Sequence, residues 1–272
     1  KFTHGLGVGD VNGDGRADLL CKDGWFEQPA KGATGAWKFH KTFFAPSSSQ
    51  MFAYDVNGDG LNDIVTALAS HGYGLAWYEQ LKERDAAGSP QFKAHVFMNK
   101  EARENRYGVA FSQLHAIELV DLDGDGLKDL VTGKCFWAHG PGADPGGNDP
   151  AVLYWFRLQR NADKSVHWVP QLIDNDSGVG RQIGLADVNG DGRPDFVIGN
   201  KKGTFVFANE AKKVTKDEWE KAQPKVLFAD AGKNAVNPAA VVTRTAAPAV
   251  TANAKPNPPH PGGVLPTGPA GK

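Results

Sequence analysis

Cysteine is almost missing from this chain, with two residues in 272, Cys21 and Cys135, at unlike places in the pattern described below. Two cysteines cannot build a disulfide framework; one bridge is conceivable, and two buried free thiols are the expected state. No apolar run approaches the roughly eighteen residues a membrane helix requires, so no membrane span is expected. Neither sign of charge dominates, since 30 Lys and Arg face 31 Asp and Glu. With no basic stripe, a nucleic-acid partner is not expected. Nucleophile elbows, HExxH helices and phosphate-binding glycine loops are also absent. The chain lacks a starting Met and a signal peptide, and residue 1 lies almost at the first strand. A mature or truncated piece is therefore expected, with an export signal and further blades or domains lost upstream. A secreted, periplasmic or cell-surface location goes with that reading. Beyond Ala231 aromatic and acidic residues vanish and Pro and Ala abound. Residues 231–272 are expected to be a disordered, mildly basic tail, because they cannot bury enough apolar surface to fold.

What is abundant is one string. "DVNGDGRAD" at 10–18 returns as "DVNGDGLND" at 55, "DLDGDGLKD" at 121 and "DVNGDGRPD" at 187. Each copy sets hard oxygen donors at positions one, three, five and nine, and calcium takes six to eight such oxygens. The glycines permit positive φ and let the backbone curl those oxygens inward. The expected ligands are Asp10, Asn12, Asp14 and Asp18; Asp55, Asn57, Asp59 and Asp63; Asp121, Asp123, Asp125 and Asp129; and Asp187, Asn189, Asp191 and Asp195. The carbonyls of Arg16, Leu61, Leu127 and Arg193 supply position seven. About four structural Ca2+ ions follow. Solvated Asp-Gly turns are the bland alternative, but four matches over nine positions speak against it.

An EF-hand would need Glu at position twelve, where Cys21, Thr66, Thr132 and Ile198 stand instead. The flanks are short, apolar and β-branched, which reads as strand on both sides. The turns begin at 10, 55, 121 and 187, so they are 45, 66 and 66 residues apart. That period suits four-stranded blades with insertions. An aromatic third strand follows each hairpin, carrying Trp25, Trp77 and Trp155 in the first three units. Trp37, Phe92 and Trp168 match in the fourth strands, which are expected at 36–44, 91–99, 166–173 and 225–229. These aromatics are read as packing between neighbouring blades. "TKDEWEKAQP" (215–224) reads as a short helix capped by Thr215, with Glu218 completing the box.

A D-x-N/D-G-D-G-x-x-D turn between two strands resembles the FG-GAP/VCBS repeat of integrin α-subunit propellers and many secreted bacterial proteins. The resemblance spans residues 4 to about 230. It implies an all-β fold: a calcium-studded β-propeller of four-stranded antiparallel blades at about 4–45, 48–100, 112–175 and 180–230. The family's propellers are commonly seven-bladed. Either four blades close a ring or more blades lie upstream, and the lack of an N-terminal strand to latch a small ring favours the second. The resemblance implies no single activity.

In such a fold the face opposite the metal hairpins surrounds the axis. Six residues before each turn stand His4, Ser49, His115 and Arg181. The connections between second and third strands add His71 and a long insertion, 133–150, with Lys134, His139, Asp144 and Asp149. Long insertions in compact repeats often carry function. His4, His115, His139, Arg181 and Lys134 are the ligand-binding candidates, and His115 with His139 is the candidate catalytic pair. Backbone-held histidines and solvated lysines are the alternative. Three functions stay open: an extracellular module that binds an acidic polysaccharide or another protein, a carbohydrate-active lyase or dehydratase, and a structural scaffold.

Overall fold

A computed structural model of the chain describes residues 4–231. The tail expected at 231–272 lies outside the described residues from 232 on. The described chain is mostly β. Four consecutive antiparallel meanders follow one another, and each opens with a short strand running into an acidic turn. The first holds β1 (Leu6–Gly9), β2 (Asp18–Cys21), β3 (Gly24–Glu27) and β4 (Lys38–Lys41). The second holds β5 (Met51–Tyr54), β6 (Asp63–Ala67), β7 (Leu75–Arg84) and β8 (Pro90–Met98). In the third are β9 (Ile117–Val120), β10 (Asp129–Gly133), β11 (Leu153–Arg160) and β12 (Val166–Asp174). The fourth has only β13 (Ile183–Ala186), β14 (Asp195–Asn200) and β15 (Gly203–Phe207).

That fourth unit corrects the expectation of a strand at 225–229. The capped helix α1 (Lys216–Ala222) forms as read, with the Thr215 side chain accepting from the Glu218 amide. Beyond it, the amides of Leu227 and Phe228 both donate to the Arg106 carbonyl at 3.0 Å. The segment therefore docks on the loop between β8 and β9 instead of pairing with β15. Both cysteines are unbridged, and only Cys135 is buried; Cys21 is half-buried.

Three sheets result. The first two meanders form one eight-stranded sheet in the order β4-β3-β2-β1-β5-β6-β7-β8, and the others form sheets of four and three strands. The eight-stranded sheet is joined by a single parallel pair, Gly7 with Met51, at which its two halves turn face to face. Three apolar cores lie between successive meanders. Leu20 and Trp25 pack on Ile64, Ala76 and Tyr78 between the first two. Val65 and Trp77 pack on Leu130, Phe156 and Leu158 between the second and third. Val131 and Leu153 pack on Ile183, Phe196 and Ile198 between the last two. Neighbouring residues on one strand thus serve opposite cores, as the two-residue period of a strand requires. In the first two meanders the third-strand tryptophan also stacks on a histidine of the fourth: Trp25 on His40 at 4.0 Å, and Trp77 on His95 at 4.3 Å.

The Gly7 junction is tight because a Cβ there would lie 2.1 Å from the Met51 carbonyl oxygen. Gly184, also three residues before its acidic turn, has its nearest neighbour 3.4 Å from such a Cβ. Gly7→Ala should lower stability by about 1–3 kcal/mol, as overpacking does, while Gly184→Ala should change it by less than about 0.5 kcal/mol, as substitutions away from tight packing usually do. Urea unfolding of both variants checks the contrast, and equal midpoints would contradict this account of the junction.

Candidate functional site

The ends of the first strands carry two different chemistries. At one end sit the acidic turns, built alike in all four units. Asp10 Oδ1 accepts from the amide of Gly13 at 2.8 Å, and its Oδ2 accepts from Gly15 at 2.8 Å. Asp55, Asp121 and Asp187 receive the equivalent pair of glycine amides at 2.7–3.1 Å. Both glycines of every turn have φ between 78° and 89°, which an L side chain resists. The position-nine carboxylates of Asp18, Asp63, Asp129 and Asp195 are fully buried. Burial pushes Asp63 and Asp129 up to about 7, against the amides that hydrogen-bond them. In the third turn, carboxylate oxygens of Asp121, Asp123 and Asp129 lie within 4.8 Å of one another and could hold a metal. The other turns have an Asn at position three, whose side-chain oxygen accepts from the position-five amide at 3.0–3.1 Å.

Position seven separates the turns further. The Arg16 guanidinium pairs with Asp14, and Arg193 pairs with Asp191 at 3.0 Å. Leu61 and Leu127 offer the position-five carboxylates of the second and third turns no such partner.

At the other end, four histidines from three units converge. His4 leads into β1, His71 lies between β6 and β7, His115 leads into β9, and His139 belongs to the insertion between β10 and β11. His4 Nε2 and His71 Nε2 are 3.0 Å apart. The His71 ring packs edge-on against His115 at 4.3 Å and stacks on His139 at 4.4 Å. Asp144 joins them, with Oδ1 at 3.0 Å from His139 Nδ1 and at 3.3 Å from His71 Nδ1. Gln113, held at φ 60°, is the local organiser. Its amide donates to Gly72 at 2.7 Å, and its carbonyl accepts from His115 and Cys135. Its side-chain oxygen accepts from Ala138 at 2.9 Å.

Burial holds His4, His71 and His115 below the usual histidine range, His115 down to about 3. Burial therefore favours the neutral imidazole at His4, His71 and His115. Burial alone would raise Asp144, but hydrogen bonds from the His139 ring and amide outweigh it and hold the carboxyl low.

Of the five ligand candidates, His4, His115 and His139 come together with His71. Arg181 is exposed on an adjoining open cavity of about 840 Å³, which Gln50, Glu118, Phe136, Trp137 and Lys201 also line. Lys134 stands apart. It is fully buried, and its Nζ donates to the Gly147 carbonyl at 3.2 Å, so it anchors the insertion from beneath. Ser49 is likewise buried. Gln50 was not singled out from sequence, yet its amide group donates to the Arg181 carbonyl and accepts from the Ile117 amide. Glu118, raised by burial, was missed too. Neither belongs to a motif: Gln50 lies just before β5 and Glu118 on β9.

Comparison with known proteins gives two findings. The FG-GAP-like repeat family matches residues 121–198, which run from the third acidic turn into the second strand of the fourth unit. Among solved structures, the chain is similar to a lectin from Agrocybe aegerita described for its recognition of non-reducing terminal N-acetylglucosamine. That likeness has 19% identity and a TM-score of 0.42, and it covers 75% of this chain. The chain spans about half, 48%, of that structure's length. No curated protein matches. Among the described residues no helix is long and apolar enough to cross a membrane.

The acidic turns order themselves by charge. The third turn has an extra carboxylate among its ligand positions and no arginine at position seven, so on ligand charge it should bind Ca2+ most tightly, ahead of the second and then of the first and fourth. Calorimetric titration of Asp10→Ala, Asp55→Ala, Asp121→Ala and Asp187→Ala variants reads the order. Arg16→Leu should tighten the first turn, and Asp123→Asn should weaken the third by about tenfold, since ligand charge tunes affinity. A third turn that binds weakest would refute the charge argument.

Proposed function

We propose that this chain is an extracellular calcium-binding β-propeller module of the FG-GAP/VCBS type that binds an acidic polysaccharide on the face opposite its metal turns. Three observations support the blade reading. A core lies between each meander and the next. Each meander reaches across to the acidic turn before it: Asn62 and Gln80 donate to the Asp10 and Val11 carbonyls at 2.7 and 2.8 Å. Arg160 donates to Asp55 and Val56, and Asn209 to Leu122 at 3.0 Å. Finally, the register row Val8–Leu19–Phe26–Phe39 crosses the first meander, with Val8, Phe26 and Phe39 exposed at 61%, 37% and 42%. An apolar face of that kind is what a further blade would cover, which supports a ring larger than four.

The donor sets fit calcium. Positions one, three, five and nine of each turn, with the carbonyl of position seven, would hold one ion apiece, and the ion supplies positive charge that offsets the clustered carboxylates. Calcium therefore belongs to the fold. With ligand at 100 times Kd, each filled site adds about 2.7 kcal/mol of stability.

The observation that carries the binding proposal is the cavity beside the histidines. Arg181 and Lys201 bring positive charge there, and Phe136 and Trp137 bring flat apolar surface. Guanidinium groups pair bidentately with carboxylate or sulfate, which favours an acidic over a neutral glycan.

Two measurements check these readings. EDTA should lower the melting temperature substantially; an unchanged melting curve after verified removal of ions would make the acidic turns ordinary turns. On a glycan array, wild type should bind uronate- or sulfate-bearing glycans. An Arg181→Ala/Lys201→Ala variant that keeps its calcium and melting point should bind them at least about tenfold more weakly, as the loss of a hydrogen bond to a charged group predicts. Equal binding by both proteins, or no acidic glycan bound, leaves the scaffold reading; cleavage of the bound glycan would point to a lyase.

A further inference from the structure

Three imidazoles meet at the place where three repeat units meet. One ring nitrogen from each of His4, His71 and His115 lies within 4.8 Å of the other two. The rings are edge-on to one another, at 64° for His4–His71, 87° for His4–His115 and 85° for His71–His115. In a tetrahedral zinc site with bonds near 2.0–2.1 Å, two ligand nitrogens stand about 3.3–3.4 Å apart. The 3.0 Å between His4 Nε2 and His71 Nε2 is close to that edge.

The surroundings favour ligation over an ordinary hydrogen-bonded cluster. His71 Nδ1 faces Asp144 Oδ1 at 3.3 Å without a hydrogen bond between them; with Nε2 bound to a metal, the Nδ1 proton would be directed at that carboxylate. A carboxylate behind a metal-binding histidine does this ordering in many metal sites. Asp144 is itself ordered by His139 and is only 7% exposed at its side chain. A hydrogen bond between His4 and His71 would satisfy those two nitrogens, but it would not serve His115. The His115 residue is 5% exposed, and its Nε2 is buried without a hydrogen-bond partner among the described residues. Burying a polar atom unpaired costs about 1–3 kcal/mol. A cation among the three rings would account for all three nitrogens at once. The Arg181 charge, which also acts on His4 and His115, opposes a cation, and Asp144 offsets it.

We infer that His4, His71 and His115 form a three-histidine site for a divalent transition metal of the zinc class, with Asp144 as the positioning residue behind His71. Imidazole nitrogens suit zinc and its neighbours and do not suit calcium, which takes oxygen. Three protein ligands leave at least one position open to water or to an oxygen of a bound molecule. The site stands independently of the glycan reading, because nothing in it requires a saccharide.

The test uses the full chain, stripped of metal and then held in excess CaCl2 so that the acidic turns are filled. Titration with CoCl2 should develop the visible absorption of four- or five-coordinate cobalt, saturating at one equivalent, and one equivalent of ZnCl2 should bleach it. His71→Ala and His4→Ala should weaken binding by about 100-fold or more; Asp144→Asn should weaken it by about 10–100-fold, the range for such supporting groups. Asp121→Ala should lose a calcium and leave the cobalt spectrum intact. His4 is exposed, so its variant tests the site even if substitution at buried His115 disturbs folding. Wild type that gives no cobalt spectrum, or His4→Ala and His71→Ala variants that bind as tightly as wild type, would overturn the inference. Loss of glycan binding with the cobalt site intact would remove only the glycan reading.

Discussion

A buried carboxylate that accepts two backbone amides is the constraint on which each unit depends. Position-nine aspartate uses one oxygen for the amide of the second turn residue: Val11 for Asp18, Val56 for Asp63, Leu122 for Asp129 and Val188 for Asp195, at 2.8–3.3 Å. Its other oxygen takes the amide of Gln28, Gln80, Leu158 or Asn209 at 2.7–2.8 Å. One side chain thus ties the turn, the start of the second strand and the outgoing third strand together. Asparagine could not replace it without setting an NH2 against an N–H donor. In the second and third units two amides do not balance a charge shielded from water, and burial pushes the Asp63 and Asp129 carboxyls up, whereas in the fourth the Asn209 and Val188 amides outweigh burial and hold Asp195 low. A cation held among the neighbouring oxygens would remove that conflict, and the latch and those oxygens occur in the same nine residues.

The same turns hold the units to one another. Their outward carbonyls at Asp10, Val11, Asp55, Val56 and Leu122 accept from side chains of the following unit. Gln80 is the fullest case: its amide group donates to Val11 and Asn62, and its oxygen accepts from Arg84 at 2.9 Å. Polar clamps at the turn end and apolar cores along the strands act between the same pairs of meanders. Disturbing one turn therefore reaches its neighbour through fixed hydrogen bonds as well as through packing.

Most of the strands were legible because the turn motif supplies its own register. Gly13 and Gly15 or their counterparts mark the tip, and the apolar runs on each side are then bound to pair. The Thr215 capping box was equally readable, since both partners lie within four residues. Residues 225–229 were not readable in this way. "KVLFA" has the composition of a strand, but its partner is the Arg106 carbonyl more than a hundred residues away, and no local pattern encodes that choice. Lys134 shows the same limit: the position at a strand end was right, and burial beneath the insertion turned a candidate ligand group into an anchor. The convergence of His4, His115 and His139 was legible only through the repeat, which sets equivalent residues at one end of successive units. The roles of Gln113 and Gln50 were not, because a glutamine that bonds backbone groups of distant segments carries no signature in sequence.

The strand geometry also explains why one short repeat can present two unlike chemistries without conflict. A first strand of four residues separates position one of the turn from the residue that leads into the strand, and an antiparallel meander sends every turn to one end and every entry to the other. Carboxylates thus gather where the glycines allow tight curling, in reach of water and of hard cations. Imidazoles gather where loops from several units close over one another, and burial favours the neutral form of His4, His71 and His115 there. Had the histidines stood at the acidic end, the carboxylates would have raised their pKa and held them protonated. Separation along the strand keeps their lone pairs available, and it does so with five intervening residues of backbone.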